Sequence, residues 1–85
     1  MTSEIKNKVK TIANHNGYGI VKMKLNEELI ELIKALKFND EDSIIEEASD
    51  VFIMLSELIE IYGEERFRQI IGFKLDRTMN RLGLK

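Results

Sequence analysis

Apolar residues recur at spacings of three and four along most of the chain, the period of an amphipathic helix. This pattern predicts helices over about residues 3–14, 20–37, 43–62 and 64–82. The run Asn16-Gly17-Tyr18-Gly19 is expected to separate the first two helices, because Asn-Gly favours a turn with positive φ. Gly63 and Gly83 are well placed to end the last two. The sequence therefore predicts an all-α fold, an antiparallel bundle of about four helices in one domain over residues 1–85.

Two smaller expectations concern helix faces and helix ends. In the first predicted helix, Ile5, Val9 and Ile12 share one face. Before the third helix the run 39–42 is polar and turn-like, and Ser43 followed by Glu46 predicts a capping box at the helix start.

The second predicted helix carries a glutamate within its apolar face. On a helical wheel of about 100° per residue, with Glu28 at zero, four apolar residues fall between about −20° and +60°. These residues are Val21, Leu25, Leu32 and Ala35. Glu28 therefore lies inside the apolar face, and Glu31 lies at its edge.

The third predicted helix repeats this arrangement. With Glu47 at zero, Val51, Met54 and Leu58 fall between about −20° and +40°. Glu47 again lies inside the apolar face, with Asp50 at its edge. The opposite side is expected to face water through Glu46, Ser49, Ser56, Glu57 and Glu60.

These two acidic pairs predict a cation site. Each pair, Glu28 with Glu31 and Glu47 with Asp50, is spaced i, i+3, so its carboxylates stack on one helix face. An ionised carboxylate in an apolar face costs several kcal/mol or so unless it is paired or binds a metal. Oxygen-only ligands suit Mg²⁺, Mn²⁺ or Ca²⁺ and argue against zinc or copper. The sole histidine, His15, is expected to be a surface or turn residue and not a ligand.

A basic cluster lies in the last predicted helix, where Lys74, Arg77 and Arg81 share one face. It is either a solvated stripe or, beside a metal site, a clamp for phosphate oxygens. Tyr18 has two interpretations as well: it stacks on a nucleobase, or it packs as a plug at a helix start.

Composition restricts the class of protein. The 85 residues include no cysteine, which excludes disulfides and cysteine-ligated zinc. A net charge of −2 gives no reason to expect nucleic-acid binding. The sequence contains no apolar run that could span a bilayer, and its N-terminus lacks a signal-peptide core, so a cytoplasmic location is expected.

The hydrophobic content of 44% is high for so short a chain, which predicts that partner subunits bury part of it. The run 51–55 is apolar nearly all round, and Met23 and Ile30 form a strip away from the first core face. A homodimer or homotetramer is expected, most simply a two-fold dimer through the second and third predicted helices.

The acidic pattern resembles that of the MazG-like all-α nucleoside triphosphate pyrophosphohydrolases. The family pattern Glu-Glu-x-x-Glu, followed after a helix-length gap by Glu-x-x-Asp, is matched by Glu27, Glu28, Glu31, Glu47 and Asp50. The C-terminal helix with Lys74, Arg77 and Arg81 also looks like the family's basic helix, so the resemblance covers about residues 18–82.

The resemblance implies that Glu28, Glu31, Glu47 and Asp50 bind Mg²⁺, with Mn²⁺ as an alternative, and form the catalytic centre. It implies hydrolysis between the α- and β-phosphates of a nucleotide, giving a monophosphate and pyrophosphate. Lys74, Arg77, Arg81 and Tyr18 would then contact the substrate. Either Glu28 or Glu31 would be the general base.

Three alternatives stay open. The first two are enzymes that resemble dimeric dUTPases or phosphoribosyl-ATP pyrophosphatases. The third is a non-catalytic helical module for oligomerisation or regulation. Carboxylates paired with Lys24 or Lys74, without a cavity, would favour the module.

Overall fold

A computed structural model describes residues 2–85 of the chain. It contains three helices: α1 (Ser3–Phe38), α2 (Glu41–Tyr62) and α3 (Glu64–Leu82). The part of the chain that the structure describes contains no β-strand. The predicted all-α class is therefore confirmed.

The first two predicted helices form one long, bent helix. Within α1 only Gly17 leaves the helical conformation, with φ 76° and ψ 169°. The expected break is therefore confirmed, but it takes the single residue Gly17 instead of the run 16–19, so a bundle of four separate helices is not found. One glycine is sufficient because it reaches positive φ without the steric cost that a Cβ imposes.

Replacing Gly17 with alanine should destabilise the protein by about 1–2 kcal/mol, because Cβ is disfavoured at this positive φ. The matched control is Gly19→Ala, two residues later in regular helix, which should stabilise by up to about 1 kcal/mol. A Cβ at either position meets nothing within 4 Å, so space does not distinguish the two variants. Urea unfolding of both measures the difference, and equal effects would contradict this account of the bend.

The helix ends are set by local hydrogen bonds and by positive φ. Thr2 caps α1, and its hydroxyl accepts a hydrogen bond from the backbone N–H of Ile5 at 3.3 Å. Asn39 ends α1 in the left-handed conformation, with φ 56°. The capping box predicted at Ser43 is wrong, because α2 begins two residues earlier, at Glu41, and the Ser43 hydroxyl instead donates to the Asp40 carboxylate.

Both glycines that were predicted to end helices do so. Gly63 follows α2 with φ 103°, and Gly83 follows α3 with φ 69°.

The core lies between α1 and α2, which pack side by side as an antiparallel hairpin. Its buried apolar side chains are Val9, Ala13, Val21, Ala35, Val51 and Met54. The apolar faces predicted around Glu28 and Glu47 are therefore confirmed as core faces. Of the face predicted for the first helix only Val9 is buried, while Ile5 and Ile12 stay about half exposed.

Helix α3 lies at the periphery. None of its residues is buried, and it makes only sparse contact with α2 and no backbone contact with α1. An ion pair between Lys6 Nζ and Glu64 Oε2, at 3.1 Å, joins the beginning of α1 to the beginning of α3. The radius of gyration is 15.1 Å, against about 12 Å for a compact chain of this length. The fold is a helical hairpin with an appended helix.

Among residues 2–85, none of the helices combines the length and the apolar character needed to cross a membrane.

Candidate metal centre

Three carboxylates from two helices converge at one point of the α1–α2 interface. Glu28 of α1 and Glu47 and Asp50 of α2 each place a carboxylate oxygen within 4.8 Å of the others. All three side chains are half-buried. They meet because α1 and α2 run antiparallel and each helix turns its acidic residue toward the shared apolar face. We call this group the acidic cluster.

The acidic cluster has the donor chemistry of a hard divalent cation. Ligand oxygens at about 2.1 Å from an octahedral Mg²⁺ lie roughly 3.0 Å apart when adjacent and 4.2 Å apart when opposite. The observed upper limit of 4.8 Å between the three carboxylate oxygens lies close to the larger of these values. The residues therefore fit Mg²⁺ or Mn²⁺, and the described residues place neither histidine nor cysteine among the donors.

The protein environment opposes ionisation of two of these carboxyl groups. Partial burial raises the pKa of Glu28, and the neighbouring charge of Asp50 raises it further. Partial burial likewise raises the pKa of Glu47, followed by the charges of Asp50 and Glu28. A bound cation would relieve this repulsion, because an opposite charge favours the ionised form.

Glu31 lies beside the acidic cluster and outside it. Its side chain is exposed, and Oε1 lies 3.6 Å from Nζ of Lys34. Its charge still contributes to the raised pKa of Glu28 and of Glu47. Glu31 therefore lies at the edge of the apolar face, as the helical wheel predicted. The structure brings together the other three of the four predicted ligands.

A cleft of about 260 Å³ adjoins the acidic cluster, between the end of α1 and the start of α2. Its walls include Glu31, Lys34, Phe38, Ser43 and Glu47. Within residues 2–85 the clustered carboxylates form no ion pair with Lys24 or Lys74. The arrangement expected of the non-catalytic module, paired carboxylates without a cavity, is thus not found.

The predicted substrate contacts lie elsewhere in the chain. Lys74, Arg77 and Arg81 are exposed on α3, and none of them influences the pKa of Glu28 or Glu47. Tyr18 follows the bend in α1, and its ring meets that of Tyr62 edge-to-face, with centroids 5.8 Å apart. Within a single chain the structure does not bring the basic residues to the acidic cluster.

Glu57 is the polar residue whose environment the sequence interpretation missed. It was expected to face water, yet it is only 2% exposed, and Oε1 accepts a hydrogen bond from Asn16 Nδ2 at 3.2 Å. Ser56, also assigned to the water face, is buried and donates to the carbonyl of Phe52 at 2.8 Å. One signal was available, since Glu57 lies seven residues after Asp50 and therefore on the same helix face.

The raised pKa values make stability depend on pH. The folded chain holds the protons of Glu28 and Glu47 more tightly than the unfolded chain does. Their contribution to stability is therefore complete below the ordinary glutamate pKa and is lost as pH rises through the raised values. We expect the metal-free protein to lose melting temperature over this interval, and Mg²⁺ to restore it.

Thermal unfolding across pH tests this, with Glu47→Gln as the comparison, because it removes one titrating group. The difference in melting temperature between wild type and variant reports the contribution of the acidic cluster alone. Groups with the opposite pH dependence, such as Glu64, whose pKa is lowered by Lys6, affect both proteins equally and cancel. If the difference in melting temperature between wild type and Glu47→Gln stays constant across pH, the expected effect of the raised pKa values is contradicted.

Comparisons with family models, with curated proteins and with solved structures found no match to this chain.

Proposed function

We propose that the protein is a Mg²⁺-dependent nucleotide pyrophosphohydrolase that cleaves between the α- and β-phosphates. The observation that carries the proposal is the convergence of Glu28, Glu47 and Asp50 from two helices, beside an open cleft. The three carboxylates offer the oxygen ligands that a hard divalent cation prefers, and the cleft leaves room for phosphates beside them. The sequence resemblance to MazG-like enzymes supplies the reaction class.

The structure supports different roles for the four acidic residues. Glu28, Glu47 and Asp50 would hold the cation, since their oxygens already lie together. A divalent cation in such a site neutralises charge on phosphate oxygens and makes nearby water more acidic. Glu31 suits the general base better than Glu28 does, because its carboxylate lies outside the group and is exposed to water. Lys34 pairs with it and lines the same cleft.

A substrate screen tests the proposal. The purified protein is incubated with Mg²⁺ and each of the common ribo- and deoxynucleoside triphosphates, including dUTP, and with phosphoribosyl-ATP. Pyrophosphate and orthophosphate are quantified separately. We expect pyrophosphate with a nucleoside monophosphate as the paired product, and none after chelation of the metal.

The screen also separates the alternatives. Preference for dUTP or for phosphoribosyl-ATP would select one of the two related enzyme classes. Orthophosphate as the sole product would contradict cleavage at the α–β bond. No turnover of any nucleotide, with Mg²⁺ binding intact, would favour the non-catalytic module.

A further inference from the structure

We propose that Lys34 is the residue that contacts substrate phosphates in the cleft beside the acidic cluster, and that it leaves Glu31 when phosphate binds. The inference rests on the proposed function, because it places a divalent cation and phosphates at this cleft. It has two parts that can be tested separately, the contact between Lys34 and phosphate and the exchange of Glu31 for phosphate as the partner of Lys34.

The cleft is lined mainly by acidic residues and by one base. Among the residues that the structure describes, Lys34 is the only basic one in its walls, whereas Glu31, Asp40 and Glu47 are acidic. Phosphate groups that enter such a cleft meet negative charge and need cations to bind there. A divalent cation at the acidic cluster would supply one, and Lys34 supplies the only positive charge of the cleft itself.

The charge of Lys34 is available because the acidic cluster does not use it. Within residues 2–85 its Nζ pairs with Oε1 of Glu31, at 3.6 Å, and with none of the three clustered carboxylates. The side chains of Lys34 and Glu31 are 62% and 51% exposed. An ion pair exposed to this degree contributes little to stability, since water and salt screen it. Lys34 can therefore leave Glu31 at small cost.

Phosphate is the stronger partner for this lysine. Pyrophosphate carries several negative charges and several acceptor oxygens, whereas the Glu31 carboxylate carries a single charge. The ammonium of lysine is a compact charge with three donors on a flexible four-carbon stem. It can turn from Glu31 toward the cleft by side-chain rotation, without a movement of α1. Phosphate in the cleft would thus replace Glu31 as the partner of Lys34.

This exchange has a consequence for Glu31. Lys34 is its only ion-pair partner within residues 2–85. Once Lys34 contacts phosphate, the exposed Glu31 carboxylate is free to accept a hydrogen bond from water in the cleft. The general-base role proposed for Glu31 then depends on substrate: its carboxylate is paired with Lys34 until phosphate binds, and is available to water afterwards.

Calorimetry with inorganic pyrophosphate and Mg²⁺ tests the contact. Lys34→Ala should weaken pyrophosphate binding by roughly ten- to a hundredfold, because a hydrogen bond between charged groups is lost. Its affinity for Mg²⁺ alone should stay unchanged. The control is Lys22→Ala, which removes an exposed lysine of the same helix that does not line the cleft and lies about 120° away on the helical wheel. Thermal unfolding verifies that both variants fold.

Glu31→Gln tests the exchange of partners in the same assay. It removes the carboxylate that competes for Lys34, so pyrophosphate binding should become stronger, by up to about fivefold. If Glu31 were instead a ligand of the metal, the same substitution would weaken the binding of Mg²⁺ and pyrophosphate together.

The remaining outcomes distinguish the two parts of the proposal from the proposed function. Equal effects of Lys34→Ala and Lys22→Ala, or a parallel loss of Mg²⁺ affinity in Lys34→Ala, would overturn the contact with phosphate. Unchanged or weaker pyrophosphate binding in Glu31→Gln would overturn the exchange. Wild type that binds Mg²⁺ but no pyrophosphate overturns both parts. Wild type that binds pyrophosphate through Lys34 but hydrolyses no nucleotide overturns the proposed function alone.

Discussion

Glu47→Gln is expected to abolish turnover and to remove the stabilisation that Mg²⁺ gives the wild type. The substitution keeps the size of the side chain and takes away the charge that a hard cation requires at the acidic cluster. A metal contributes several kcal/mol of transition-state stabilisation. Since each 1.36 kcal/mol is tenfold in rate, we expect a loss of at least about a thousandfold.

Metal binding gives a readout that is independent of activity. At ten times Kd, Mg²⁺ should stabilise wild type by about 1.4 kcal/mol, and Glu47→Gln by much less. Glu46→Gln is the matched control, because it removes a charge from the adjacent, exposed residue. Equal losses in the two variants would show that general charge, and not the acidic cluster, is responsible.

Asn16→Leu should be among the most destabilising single substitutions. It removes the donor whose hydrogen bond, at 3.2 Å, pairs with the nearly inaccessible carboxylate of Glu57. Leaving a buried acceptor without its partner costs about 1–3 kcal/mol. For a domain of this size each kcal/mol lowers the melting temperature by about 4–8 °C.

Two further variants identify the cause of that loss. In Asn16→Leu/Glu57→Met both polar partners are replaced by apolar groups, so stability should recover most of the way to wild type. Asn7→Leu makes the same substitution at an exposed position of α1 and should have a small effect. A double variant no more stable than Asn16→Leu would show that the cost comes from packing and not from the unpaired carboxylate.

The core-facing sides of α1 and α2 could be predicted from the sequence, because the helical period and the spacing of apolar residues are local properties. Val21 and Ala35 are buried where the wheel placed them, and Glu28 and Glu47 turn toward each other because each lies within such a face. The convergence with Asp50 followed from the antiparallel pairing of two consecutive helices. These are the parts of the fold that short-range pattern determines.

The bend at Gly17, the burial of Glu57 and the position of α3 depend on contacts between segments that are distant in the sequence. Whether a glycine such as Gly17 bends a helix or ends it depends on what the segments on either side of it contact. Here both segments contact α2, since Asn16 pairs with Glu57 and Tyr18 packs against Tyr62. The helical wheel of α2 places Glu57 on the face of Asp50, but it could not show that Asn16, in the segment before the bend, would pair with the Glu57 carboxylate. The location of α3 likewise depends on contacts outside its own sequence.

The uneven packing of the three helices also bears on how the chain folds. The α1–α2 hairpin joins neighbouring segments through a turn at Asn39 and Asp40, so its contacts close a short loop and should form early. Helix α3 has no buried side chain, so it lacks the tertiary packing that supplies most of the stability of helices in proteins. Its amide hydrogens should therefore exchange with solvent far faster than those of the hairpin core, and their protection should increase with protein concentration if association orders the helix.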